Sequence, residues 1–199
     1  MIKAIIFDLS EVYLKGLKGA EKHIAPVLQI PEKKVWDALS SPELISFFHG
    51  QISEEDYLEA VIKKNKWDIN IETLKKLIRK NFEEIEGTRE IIEELKRRDY
   101  QLGLLSVHTK EWIEYCNKKF DYHKFFDSIL YSFEVAVSKP DKRAYEMILK
   151  LGKKAEECLF IDDMEKNIQA AREMGINAIV FKNSSQLKKE LKSYALSVE

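Results

Sequence analysis

Apolar residues fall along this chain in two rhythms. Five short runs read as strands: Lys3-Ala4-Ile5-Ile6-Phe7, which stops on Asp8, then Gln101–Ser106, Ser128–Phe133, Cys158–Asp162 and Asn177–Phe181. Their near-continuous hydrophobicity is the signature of strands covered on both faces, as in a parallel sheet. Between them the spacing turns helical. Thr88–Arg98 puts Ile91, Ile92 and Leu95 on one face, and Lys142–Leu151 does the same with Tyr145, Ile148 and Leu149. A third helix, Glu165–Met174, stops at Gly175, a residue suited to a left-handed C-terminal cap. Strands alternating with helices predict an α/β fold around a parallel sheet.

Residues 14–82 break the alternation. They hold no convincing strand but several helical patterns, one beginning at Pro31, one after Ser53 with Asp56 as its capping partner, and one over Ile71–Phe82. The expected organisation is a core of residues 1–13 and 83–199, with residues 14–82 as an inserted all-helical domain. With no glycine- or serine-rich linker in between, this segment reads as a subdomain or as a lid over the sheet edge.

Composition narrows the function classes. At 199 residues, the chain can bury a real core, and 33 basic residues against 34 acidic ones give no reason to expect nucleic acid or an acidic membrane as partner. No apolar stretch reaches the length of a membrane span, and a cytoplasmic protein is expected. Cys116 and Cys158 share no metal-ligand spacing, which argues against a disulfide framework or zinc site.

Chemistry collects where strands end. Asp8 follows the first strand, Ser106 ends the second, Lys139 lies after the third in Val137-Ser138-Lys139-Pro140-Asp141, and Asp162-Asp163 end the fourth. The C-terminal edge of a parallel sheet is where open α/β folds place ligands. Taken singly, each residue has a duller role: Ser106 a local backbone partner, Lys139 a solvated lysine, Asp141 and the Asp162-Asp163 pair helix caps. Carboxylates converging in one cleft repel unless a cation joins them, and an oxygen-only site favours Mg²⁺.

The ordered set Asp8, Ser106, Lys139 and Asp162-Asp163 resembles the four motifs of the haloacid dehalogenase (HAD) superfamily. The resemblance spans essentially the whole chain and implies a Rossmannoid core with residues 14–82 as a helical type-1 cap. The opening Phe-Asp-Leu, the Lys-Pro-Asp and the Phe-Ile-Asp-Asp with Asn167 look most like the branch of sugar-1-phosphate phosphatases and epoxide-hydrolase N-terminal domains. It implies a hydrolase acting on a small phosphorylated metabolite through an aspartyl phosphate on Asp8. Mg²⁺ would then be held by Asp8, the backbone carbonyl of Ser10 and Asp163, with Asp162 helping directly or through water. Ser106 and the residue at Val107 would meet the phosphoryl group, and Lys139 would hold nucleophile and phosphate charges together.

Three departures stand out. Ser10 occupies the position where phosphatases of this superfamily carry a second Asp, the group that protonates the leaving oxygen. Glu11 follows where glycine is common, and Val107 stands where asparagine is usual. General acid–base catalysis supplies about 10²–10⁴-fold, so its loss slows rather than abolishes turnover. Glu11 and His108 are the candidate substitutes, while Phe47, Phe48 and His49 could line the cleft or fill the core of the insertion. Two rivals remain at this stage: a 2-haloacid dehalogenase, although no arginine lies between Glu11 and Ile78 to clamp its anion, and a binding module that has lost turnover.

Overall fold

The computed structural model describes residues 1–149, 154–196 and 198. Five strands, β1 (Ala4–Phe7), β2 (Gln101–Ser106), β3 (Ser128–Tyr131), β4 (Cys158–Asp162) and β5 (Asn177–Val180), form one sheet in the order β3-β2-β1-β4-β5. Every pairing is parallel. This is the expected α/β Rossmannoid sheet. The chain moves outward from β1 through β2 to β3, then returns to the other side of β1 for β4, so the order reverses at β1. Such a switch point opens a crevice at the carboxyl ends of the strands.

Helices cover both faces. Strand alternation divides β1 between two apolar clusters: Ile5 and Phe7 join Leu102, Leu104, Leu159 and Ile161 in one, while Ala4 and Ile6 join Leu105, Phe160 and Ala178 in the other. α6 (Thr88–Arg97) and α11 (Ser184–Ser193) supply the first cluster with Ile91, Ile92, Leu95, Leu187 and Leu191. α9 (Lys142–Leu149) and α10 (Glu165–Glu173) supply the second with Tyr145, Leu149, Ile168 and Ala171. Leu151 and the side chain of Ile148, both assigned to α9 from the sequence, lie outside the described residues. α10 ends as expected, with Gly175 at φ +78°. Asp141 caps α9 by accepting from the Arg143 amide at 3.0 Å.

β3 is shorter than the sequence indicates. Its pairing with β2 ends at Ser106 opposite Tyr131, and Ser132–Val135 turns into the short helix α8. The Glu134 carboxylate accepts from the Tyr131 amide at 3.1 Å, which ends the strand. The remaining helix of this half, α7 (Lys110–Phe120), follows β2.

Between β1 and β2 lie α1 (Glu21–Leu28), α2 (Glu32–Leu39), α3 (Glu43–Phe48), α4 (Glu54–Asn65) and α5 (Ile71–Arg79). Ser53 and Asp56 form the expected capping box at the start of α4. Pro31 is the residue before α2 rather than its first helical position. The segments entering and leaving this insertion are tied together, Lys15 N–H to Glu83 O at 2.8 Å and Ile85 N–H to Tyr13 O at 2.8 Å. Phe47 is core: it stacks on Tyr57 and meets the edge of Trp112, both at 5.1 Å between ring centres.

Trp112 belongs to α7, so this aromatic cluster joins the insertion to the sheet half. A polar network reinforces it. Glu54, 3% exposed, accepts from the Trp112 indole at 2.8 Å and pairs with Arg79 at 2.6 Å. Burial raises the Glu54 carboxyl above its ordinary value against the opposing pull of Arg79 and Trp112. A carboxyl that holds its proton more tightly folded than unfolded adds stability in acid, and that contribution is lost as pH rises through the folded-state value.

Glu54→Ala is expected to lose about 3–5 kcal/mol, because it strands Arg79 and the indole N–H. Glu54→Gln keeps one acceptor oxygen, for the indole or for Arg79 but not for both, and is expected to lose about 1–3 kcal/mol, less than the alanine variant. Its Tm should also fall less than that of wild type between about pH 5 and about pH 7.5. Thermal unfolding of the three proteins across that range checks both statements.

Candidate active site

Parity places the first carboxylates. Asp8 follows Ala4 and Ile6 in the period-two alternation of β1, and Asp162 follows Cys158 and Phe160 in β4, so both leave the sheet toward the same face. The loop before α9 covers that face and brings in Lys139. Its ammonium lies 2.8 Å from Asp8 Oδ2 and 2.6 Å from Asp162 Oδ2, above the Phe160 ring. All three groups are buried, Asp162 completely.

Asp162 is saturated. Besides Lys139, it accepts from the Met164 amide at 2.8 Å and from Asn167 Nδ2 at 2.9 and 3.0 Å. Asp8 Oδ1 accepts from the Leu9 amide at 2.7 Å. Asp163, half-buried, completes a group in which Asp8, Asp162 and Asp163 each offer an oxygen within 4.8 Å of the others. One ammonium therefore faces three carboxylates. Burial raises the Asp8 carboxyl well above its usual range, Asp162 and Asp163 add to this, and Lys139 opposes it. Asp163 is raised by burial and by Asp162. Burial works against the Lys139 charge, yet Asp8 and Asp162 hold it above the ordinary lysine value.

The donor set fits a hard divalent cation: oxygens only, unbalanced negative charge, and a common focus. Ser10, half-buried, starts the loop after β1. The amides of residues 11–14 go to Leu14 O and Leu9 O, that of Lys15 to Glu83 O and that of Gly16 to Glu11 Oε1, so none of them takes the Ser10 carbonyl.

Ser106, at the end of β2, is 2% exposed, and its hydroxyl has no hydrogen-bond partner among the described residues. An orphaned buried hydroxyl is rare and calls for an occupant. The Thr109 hydroxyl and Asn167 Oδ1 are orphaned in the same way. Thr109 was not singled out from the sequence; its place before α7, after a strand carrying Ser106, was the available signal. Val107 beside it is half-buried.

The two candidate proton donors do not qualify. His108 is 4% exposed, its Nδ1 accepts from the Thr109 amide at 3.0 Å, and its ring packs against Trp112 and Phe82. Burial pushes its pKa down to about 4, so it is a neutral wall residue. Glu11 sits at φ +60°, the left-handed region, which accounts for a glycine preference at that position. Its carboxylate is held by the Gly16 amide at 2.9 Å.

Lys139→Met is expected to cost about 3–5 kcal/mol, since Asp8 and Asp162 lose their buried counter-charge. With the lysine gone, Asp8 holds its proton still more tightly in the fold, so the deficit shrinks as pH falls. Urea unfolding at about pH 5.5 and about pH 8 should show the smaller gap at the lower pH.

Comparison with known proteins places this geometry. Residues 5–181 match the haloacid dehalogenase-like hydrolase family. The chain is 25% identical over 195 residues to Flavin mononucleotide hydrolase 1 of Arabidopsis thaliana, covering 98% of this chain and 78% of that protein. It is 28% identical over 200 aligned positions to the phosphorylated carbohydrates phosphatase of Thermotoga maritima, covering 89% and 84%. The HAD family enzyme BT-2542 of Bacteroides thetaiotaomicron, solved with magnesium and inorganic phosphate, has the same fold at a TM-score of 0.78 and 18% identity, covering 92% and 96%. The chain belongs to the haloacid dehalogenase-like hydrolase family and is a hydrolase.

Proposed function

We propose that the protein is a Mg²⁺-dependent phosphatase of small phosphorylated metabolites, with Asp8 as nucleophile. The observation that carries this reading is the single ammonium of Lys139 set among three buried or half-buried carboxylates. Asp8 must be ionised to attack, and its surroundings oppose ionisation. Mg²⁺, held by Asp8, the Ser10 carbonyl and Asp163 with Asp162 in support, would supply the missing positive charge and offset that of the phosphoryl oxygens.

The chain's own groups do the rest. An Asp8 oxygen attacks phosphorus, the ester oxygen leaves with its bonding electrons and takes a proton, and an aspartyl phosphate remains. Water then attacks phosphorus, releasing inorganic phosphate and restoring the carboxylate. Lys139 holds the nucleophile in place and balances charge, while the orphaned hydroxyls of Ser106 and Thr109 are donors for phosphoryl oxygens. Asp162 fixes Lys139 and is itself fixed by Asn167. Residues 14–82 form the cap over the carboxyl edge of the sheet. The relatives named for flavin mononucleotide and phosphorylated carbohydrates support a small phosphate ester as substrate.

Ser10 cannot protonate a leaving oxygen, His108 is a buried wall residue, and Glu11 has its Oε1 on the Gly16 amide. Substrates whose leaving group needs no acid, such as anomeric, acyl or aryl phosphates, fit this site best. Dehalogenation is disfavoured by the anion clamp it lacks: Arg79, the first arginine of the chain, is committed to Glu54.

With an aryl phosphate, wild type is expected to turn over in Mg²⁺ and stop in EDTA, and Asp8→Asn to be inactive in both. Absence of magnesium-dependent turnover by wild type would leave a binding module instead. Ser10→Asp restores an acid, so its rate on an alkyl phosphate should rise by about 10²-fold or more, with a much smaller gain on the aryl ester. Equal gains on both esters would show that protonation is not what Ser10 costs.

A further inference from the structure

With three consecutive residues the insertion touches α8 and the lysine-bearing loop that follows it. Phe48 O accepts from Ser132 Oγ at 2.6 Å, His49 Nε2 lies 2.7 Å from Ser138 Oγ, and Gly50 packs so tightly that a Cβ there would stand 3.1 Å from Phe133 O. Of Phe47, Phe48 and His49, only His49 reaches this loop with a polar side-chain atom. Phe47 and Phe48 both pack against Trp112.

Ser138 immediately precedes Lys139. The loop that carries them passes through Ala136 at φ +51°, a conformation a non-glycine residue adopts at a cost. Within the loop one turn bond, Asp141 N–H to Ser138 O at 3.0 Å, spans Lys139, and contacts from outside supply the rest. On the core side those contacts are the packing of Val137 against the second apolar cluster and the ion pairs of Lys139 itself. On the insertion side the contact nearest the lysine is His49.

We propose that His49 is a positioning residue for Lys139, acting through Ser138, so that the seating of the insertion and the placement of the catalytic ammonium are one event. This rests on the phosphatase reading for its effect on rate, but not for its effect on the loop. Either tautomer of His49 makes the bond: a neutral Nε2 accepts the Ser138 hydroxyl proton, and a protonated Nε2 donates to the hydroxyl oxygen. In both cases the bond goes to Ser138 and acts on Lys139 through it, and its loss should lower kcat while leaving substrate binding in place.

The test uses the full chain carrying His49→Ala, Ser138→Ala, both together, and His49→Gln, whose amide reaches as far as Nε2. Rates on an aryl phosphate in Mg²⁺ are read alongside amide hydrogen exchange in peptides spanning 133–141. Each single alanine variant is expected to lower kcat about tenfold with KM within about twofold, the double variant to lose no more than either, and Gln to recover most of the rate. Exchange in 133–141 should quicken equally in the three alanine proteins. Losses that multiply in the double variant, a rise in KM in place of the fall in kcat, or unchanged exchange would each overturn the proposal. If wild type shows no phosphatase activity, the functional reading fails on its own, and the exchange measurement still decides whether His49 holds the loop.

Discussion

Everything at the carboxyl edge of the sheet depends on one buried contact, the Lys139 ammonium shared between Asp8 and Asp162. Taking these charges out of water is expensive, and mutual attraction repays the cost only when the geometry is good and the remaining lone pairs are satisfied. Here Asp162 meets that condition fully, through Asn167 and the Met164 amide. Asp8 meets it only in part. The site therefore keeps an electrostatic deficit at Asp8, and a deficit of this kind marks function more than stability.

The sheet was legible because it obeys a simple rule. Strands buried on both faces must be apolar throughout, and the alternation that sends Ile5 and Phe7 one way and Ala4 and Ile6 the other also sends Asp8 and Asp162 to a common side. What the pattern could not show was where β3 gives way to α8. Ser132 and Phe133 suit a strand, and the change is made by Glu134 reaching back to the Tyr131 amide. α1 was obscured by Pro26 in its interior, a residue that argues against a helix when only local preference is considered. Tertiary packing of Ile24 and Ala25 overrides it.

The site itself was readable in its charged members and opaque in its neutral ones. A carboxylate or lysine at a strand end carries its chemistry in its name. A hydroxyl such as Thr109 becomes interesting only when it is seen buried without a partner, and His108 loses interest only when its ring is seen packed against Trp112. The exchange of glycine for Glu11 is similar. Its φ of +60° shows a backbone constraint imposed by the loop, and its carboxylate helps to meet that constraint by taking the Gly16 amide. Glu11 is thereby a scaffold of the loop that presents the Ser10 carbonyl rather than a replacement acid.

The same economy extends to the insertion. It leaves the sheet directly after the loop of Ser10 and Glu11, and it returns through the pairing of Tyr13 and Lys15 with Glu83 and Ile85. Its aromatic side rests on Trp112 of α7, the helix that begins just after Ser106 and Thr109. Its Phe48–Gly50 edge rests on the loop that ends in Lys139. Three of the four strand ends that supply the site thus have the insertion as a neighbour, and only the β4 end, with Asp162 and Asp163, is held chiefly by its own helix α10 through Asn167. A substitution deep in the insertion can therefore disturb Asp8, the Ser106 and Thr109 hydroxyls or Lys139 without touching any of them, and it reaches Asp162 only through Lys139. Asymmetry of this kind separates the part of the site anchored by its own helix from the part that shares its supports with the insertion.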